Sequence, residues 1–145
     1  MSTTGRRCHA KETMKNVAGV VQSVWEFEDR QSSLSPTSAI LVRVRIGKVG
    51  NEARLREVFA QTPIRGGHHG YEGWNCVSWV EEALNGAAQD NQALGSCCTD
   101  WTFVRDTAMW YVAKKAAEHR FDGLGTFDQS KIPTWDATES KELVA

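Results

Sequence analysis

The sequence predicts an α+β fold in which a small antiparallel sheet packs against helices. Residues 21–29 and 39–49 alternate apolar and polar side chains, with the period of half-buried strands. Three later segments carry apolar residues at helical spacing, over 52–61, from 76 onward and over 101–119. This order favours a single α+β domain over residues 1–136, followed by a disordered tail at 137–145.

The two predicted strands differ in how clear their patterns are. In the first, Trp25 and Phe27 alternate with two glutamates, whereas in the second Val42, Val44 and Ile46 share one face and arginines occupy the other. Residues 1–16 are polar and show no clear periodicity. Neighbouring strands of this kind predict an antiparallel sheet with one covered face.

Each predicted helix has its own start and stop residues. Asn51 caps the helix over 52–61, and Thr99 or Asp100 caps the one over 101–119. Asn75 caps the middle helix, and Asn85-Gly86 predicts its end. The apolar stripe of that helix consists of Cys76, Trp79, Val80, Ala83 and Leu84.

Composition excludes several classes of partner. The 145 residues include 17 basic and 18 acidic side chains, a net charge of −1, so we expect no nucleic-acid partner. No apolar run is long enough for a membrane span, and the N-terminus leads into no signal-peptide core. We therefore expect a cytoplasmic protein whose four cysteines are thiols rather than a disulfide framework.

Cys76 is the candidate nucleophile. The spacing places it first in its helix, on the buried side of the stripe and at the positive end of the helix dipole. That position lowers the pKa of a thiol and favours the thiolate, which a nucleophilic cysteine needs. The alternative is a structural cysteine, because free cysteines on apolar stripes commonly belong to the core.

A nucleophilic thiol also needs a base or ion-pair partner, usually a histidine. His68 and His69 lie in a glycine-rich loop just before Cys76, His119 lies at the far end of the last helix, and His9 precedes the first strand. A metal site is not expected, because no CxxC or HxxxH spacing is present, and no cofactor is predicted. The adjacent pair Cys97-Cys98 is a weak candidate for a redox sensor, since neighbouring cysteines form strained disulfides.

The segment Asn75-Cys76-Val77-Ser78-Trp79-Val80 resembles the Asn-Cys-x-x-Phe/Trp motif of the circularly permuted papain-like proteins. These belong to the NlpC-type thiol hydrolase superfamily, which includes lecithin retinol acyltransferase. The order of strands before an Asn-Cys helix is similar as well. A longer pattern through most of residues 7–136 also resembles an uncharacterised group of small fungal proteins.

The resemblance implies a permuted papain-like core with Cys76 as the nucleophile and its backbone N–H in an oxyanion hole. His9 would belong to the histidine-bearing strand region. Relatives of this kind carry a further strand, with an aromatic-His-aromatic pattern, before the position of His9, and this chain shows none. Either His9 acts as the base alone, or the core lacks its first strand and its Cys-His pair is incomplete.

Two functions therefore remain open. The first is a cysteine-dependent hydrolase or acyltransferase acting on an amide, ester or thioester of a small molecule or peptide through Cys76 and His9. The second is a non-catalytic small-molecule or protein-binding module on the same scaffold. An edge left by a missing strand would also favour a homodimer. Residues that would orient the His9 ring are Glu26, Gln22 or Asn16, and candidate substrate-binding residues are Trp74, Tyr71, Trp79, His68, His69 and Trp25.

Overall fold

The computed structural model describes residues 4–37 and 39–145. Its elements in chain order are β1 (Thr4–Val17), β2 (Val20–Ser33), β3 (Arg43–Arg45), β4 (Gly47–Val49), α1 (Glu52–Gln61), α2 (Cys76–Gln89), β5 (Leu94–Cys97), α3 (Trp101–Ala117), β6 (Thr134–Asp136) and β7 (Lys141–Val144). Within the described ranges, none of the helices is long and apolar enough to cross a membrane.

The chain divides into two compact units. The hairpin unit comprises residues 4–32 and 49–94, and the C-terminal unit comprises residues 33–37, 39–48 and 95–145. Helices and small sheets together make this an α+β protein, as predicted.

The hairpin unit is built on the long two-stranded ribbon of β1 and β2. Ala18 and Gly19 form its tight turn, both with positive φ (53° and 84°), as type I′ turns require. The Asn16 side chain accepts a hydrogen bond from the Gly19 N–H at 2.9 Å. Strand β1 was not predicted, because its inward side chains Cys8 and Ala10 are small and give little hydrophobic periodicity.

The core of the hairpin unit centres on Trp79 of α2. Trp79, Ala10 and Ala83 are all at least 97% buried, and they form one apolar cluster. The rings of Phe27 from β2 and Phe59 from α1 lie 5.7 and 5.9 Å from the Trp79 ring. The Trp79 indole therefore connects the ribbon to both helices, and the small side chains of Ala10 and Ala83 leave space for it.

Helix α1 has the predicted bounds, but α2 is longer than predicted. Asn51 caps α1 by accepting a hydrogen bond from the Arg54 N–H. In α2 the Asn85-Gly86 stop is wrong, because the helix continues to Gln89 and is closed by Asp90. Gly86 instead serves packing: a Cβ there would lie 3.2 Å from the Val58 side chain of α1.

The second predicted strand is broken in two. β3 ends at Arg45, and β4 begins at Gly47. The carbonyl of Ile46, between them, accepts a hydrogen bond from the Cys98 N–H. In the C-terminal unit, β3 pairs in parallel with β6, which pairs antiparallel with β7. The sheet of this unit is therefore mixed, whereas the sequence predicted an antiparallel one.

The prediction of a disordered tail is wrong, because residues 141–144 form β7. Two fully buried side chains of α3, Tyr111 and Lys115, bind this strand. The Tyr111 hydroxyl donates to Glu142 at 2.7 Å, and Lys115 Nζ lies 3.0 Å from the same carboxylate. A buried ammonium group needs a carboxylate partner, so Lys115 stabilises the strand that supplies one.

Candidate functional site

Cys76 is the first residue of α2, as predicted, but its side chain is exposed. The prediction that it faces the core is wrong, because the packed part of the stripe begins one turn later, at Trp79. Asn75 accepts hydrogen bonds from the N–H groups of Val77 and Ser78, and the Ser78 hydroxyl accepts one from the Asn75 N–H. This capping box occupies two of the donors that an anion at the helix end would otherwise use.

His9 does not point towards α2. Its neighbours Cys8 and Ala10 pack in the cluster of Trp79, and successive side chains of a strand point to opposite faces. His9 Nε2 instead lies 3.2 Å from Glu28 Oε1 on the outer face of the ribbon. Hydrogen bonds from Lys11 and then from His9 hold the pKa of Glu28 at about 2, well below the usual value. Within the described residues, no hydrogen bond or ion pair joins His9 to Cys76.

Two of the residues predicted to orient the His9 ring, Glu26 and Asn16, interact with other groups. Glu26 pairs with Lys15, and Asn16 supports the hairpin turn. Glu28, for which no role was predicted, is hydrogen-bonded to the His9 ring. His119 lies beyond α3 and pairs with Asp122 at 2.7 Å.

The loop before Cys76 is a run of three successive turns. Hydrogen bonds connect residues 65 to 68, 68 to 71 and 71 to 74, and in each turn the third residue is a glycine with φ between 84° and 87°. Glycine is favoured there because this position of a type II turn has positive φ. His68 and His69 are both exposed on this loop, and His69 Nδ1 is 3.8 Å from Glu72. The glycine spacing of three, at 67, 70 and 73, was the sequence pattern that could have predicted these turns.

The predicted aromatic residues do not line one common cleft. Trp25 and Trp74 pack edge to face with ring centroids 5.4 Å apart, and Trp79 is core. Tyr71 is exposed; the Arg65 guanidinium lies 4.8 Å from its ring centre and donates to its hydroxyl. Gly66 lies against Trp25 so closely that an added Cβ would be 2.1 Å from the indole.

A cleft of about 450 Å³ lies elsewhere in the hairpin unit, between the open end of the ribbon and α1. Its volume is within the range of small-molecule sites. None of its lining residues was predicted as a site residue. They are Thr4, Gly5, Arg6, Cys8, Gln31, Val49, Glu52, Leu55, Arg56 and Phe59.

Two arginines of this cleft share one carboxylate. Arg6 Nε lies 2.9 Å from Asp29 Oδ1, and Arg56 Nε donates to Asp29 Oδ2 at 2.9 Å. The Asp29 side chain is only 16% exposed, so it is well placed to hold both guanidinium groups. We refer to Arg6, Asp29 and Arg56 as the arginine clasp. Pattern analysis could not find it, because its members come from β1, β2 and α1.

Cys8 lines the same cleft and is chemically unlike a nucleophile. Burial, followed by the negative charge of Asp29, raises the pKa of the Cys8 thiol. The charges of Arg6 and Arg56 act in the opposite direction but are smaller causes. The side chain is therefore a neutral thiol at neutral pH and contributes apolar surface to the cleft.

A model described as a family of unknown function (DUF6914) matches residues 1–144. The chain belongs to this family. No curated protein and no solved structure matches the chain. In the part of the DUF6914 chain that the structure describes, no three His, Cys, Asp or Glu side chains are grouped so that they could hold a metal ion.

Replacing Gly66 by alanine should destabilise the hairpin unit. The new methyl group would overlap the Trp25 ring, and overpacking of this kind costs about 1–3 kcal/mol in the free energy of unfolding. Urea denaturation measures the change. Gly95→Ala is the control, because its Cβ would lie 3.7 Å from Lys48, an ordinary contact. Equal stabilities of the two variants would contradict the packing of Gly66 on Trp25.

Alkylation of Cys8 should report the charge of the arginine clasp. Asp29→Asn removes a negative charge that raises the thiol pKa and leaves two arginines that lower it, so the midpoint of the pH–rate profile for iodoacetamide labelling should fall. Peptide mass mapping separates Cys8 from exposed Cys97, whose profile should not change. A higher plateau rate with an unchanged midpoint would instead indicate a loosened fold. It would contradict the prediction that the charge of Asp29 raises the pKa of the Cys8 thiol.

Proposed function

We propose that this protein is a non-catalytic binding module whose ligand occupies the cleft between the ribbon and α1. The observation that carries the proposal is the arginine clasp beside apolar side chains in one cleft of about 450 Å³. Ligand sites commonly combine an apolar lining with a few fixed polar groups. The Asp29 carboxylate fixes these groups before any ligand arrives, which lowers the entropic cost of binding.

The apolar part of the cleft comes from both sides. Leu55 and Phe59 are one turn apart on α1, and Cys8 faces them from β1. Phe59 also packs on Trp79, so the wall of the cleft is continuous with the core of the hairpin unit. A wall supported in this way changes little on binding, which favours a preformed site.

The placement of the candidate catalytic groups supports binding over turnover. His9 is engaged with Glu28 on the outer face of the ribbon, whereas Cys8 and Ala10 face α2. A thiol enzyme needs a base within hydrogen-bond reach of its nucleophile. Cys8 has a raised pKa, and among the described residues no hydrogen bond or ion pair joins Cys76 to His9.

Filling the cleft should abolish ligand binding. Ligand-observed NMR with a library of small aromatic and aliphatic compounds should yield compounds that slow iodoacetamide labelling of Cys8. Val49→Trp places a large ring at the mouth of the cleft, where Val49 is 57% exposed, and should remove this protection. Val80→Trp, also at an exposed site but outside the cleft, should keep it. Compounds that bind Val49→Trp as well as the wild type, or a library that never protects Cys8, would contradict the proposal.

A second candidate is a cysteine-dependent hydrolase or acyltransferase on the permuted papain-like scaffold. It is favoured by an exposed thiol on the first residue of α2, next to an asparagine that caps the helix. Its base would have to come from a group other than His9, because the His9 ring faces away from α2.

Labelling and turnover separate this candidate from the binding module. If Cys76 is a nucleophile, it should react with iodoacetamide faster than Cys97, which is exposed as well. Cys76→Ser should then abolish hydrolysis of a thioester that Cys97→Ser leaves intact. From the placement of His9 we expect His9→Ala to leave Cys76 labelling unchanged. Loss of Cys76 reactivity in His9→Ala would contradict that placement.

A further inference from the structure

We infer that the ligand of this cleft is a molecule with a single carboxylate attached to an apolar body. The inference rests on the proposed function and specifies its chemistry. The arginine clasp would bind the carboxylate, and the wall of Cys8, Leu55 and Phe59 would contact the body.

The arginine clasp leaves hydrogen-bond donors available. Arg56 Nε donates a hydrogen bond to Asp29 Oδ2 at 2.9 Å, whereas Arg6 Nε forms an ion pair with Asp29 Oδ1 at 2.9 Å without hydrogen-bond geometry. Within the described residues, the terminal nitrogens of these two guanidinium groups make no hydrogen bond. Arginine binds carboxylates through two parallel N–H groups, and such charge-assisted bonds are stronger than neutral ones. Both arginines line the cleft, and the inference is that a carboxylate bound there accepts hydrogen bonds from these donors.

Another arginine of α1, Arg54, pairs with a carboxylate of its own. Arg54 contacts Asp90 through Nε and also through a terminal nitrogen, at 2.8–3.0 Å. This pair is one-to-one, whereas Asp29 serves two arginines. Arg54 is not part of the cleft lining, although it lies two residues before Arg56 on the same helix.

The charges of the cleft limit the ligand to one negative charge. Of the charged residues that line the cleft, Arg6 and Arg56 are positive and the exposed Glu52 is negative, and Asp29, the ion-pair partner of both arginines, adds a second negative charge. The four charges sum to zero, so the site offers no excess positive charge for a phosphate dianion. A monocarboxylate can use the unoccupied guanidinium donors, and it meets less repulsion from Glu52 than a dianion would.

The apolar wall favours an apolar body for the part of the ligand beyond the carboxylate. Cys8 adds apolar surface because its raised pKa keeps it neutral, and Leu55 and Phe59 complete the wall. The volume of about 450 Å³ leaves room for a chain or ring beyond the carboxylate. A purely polar acid would leave this wall exposed to water and would gain little from it.

Octanoate and its neutral analogue octanamide test the inference, because they share one apolar body. Isothermal titration calorimetry should give octanoate an affinity at least about 10-fold higher, as charged hydrogen bonds typically provide. Arg56→Gln should remove this preference while leaving octanamide binding unchanged. Arg54→Gln is the matched control on the same helix and should retain the preference. Octyl phosphate should bind more weakly than octanoate.

The possible failures are distinguishable. If octanamide binds as tightly as octanoate and protects Cys8, the carboxylate inference is overturned while the cleft remains the binding site. Tighter binding of octyl phosphate than of octanoate overturns the selection for a single charge. If no probe binds or protects Cys8, and the compound library also fails, the inference falls together with the proposed function.

Discussion

The hairpin unit depends on the packing of Trp79 against two small residues, Ala10 of β1 and Ala83 of α2. A tryptophan buries more apolar surface than almost any other side chain, but it needs a space that small neighbours leave open. Phe27 and Phe59 complete the enclosure from β2 and α1. Four elements of the unit are therefore in contact with a single ring, and its removal would affect all of them.

This packing also determines which face of β1 each chemical group occupies. Because Ala10 faces Trp79, strand alternation turns Cys8 inward and His9 outward. Cys8 thereby lines the cleft with the arginine clasp, and His9 joins Glu28 on the outer face. A shift of one residue in the register of β1 would exchange these positions. The register of β1 therefore decides whether Cys8 or His9 faces α2.

The C-terminal unit contains a fully buried charge, the ammonium group of Lys115. Lys115 is fully buried, with Glu118 at 2.9 Å and Glu142 at 3.0 Å. Glu142 also accepts a hydrogen bond from Tyr111, and the hydroxyl reaches the Val144 carbonyl at 3.2 Å. Burial of an unpaired ammonium group is costly, so the ion pair ties the last strand to α3. Hydrophobic pattern alone could not predict this strand, since its stabilising side chain is a glutamate.

The sequence by itself determined where the helices begin, because each start depends on the capping residue next to it. Asn51 and Asn75 cap α1 and α2 as proposed from sequence, and Asp100, one of the two residues proposed, caps α3. The α+β class followed from the two periodicities. Only the tertiary structure decided that Gly86 makes room for Val58, that β1 exists, and that Arg6, Asp29 and Arg56 meet. These features depend on side chains far apart in the chain, whose spacing carries no period that sequence analysis can detect.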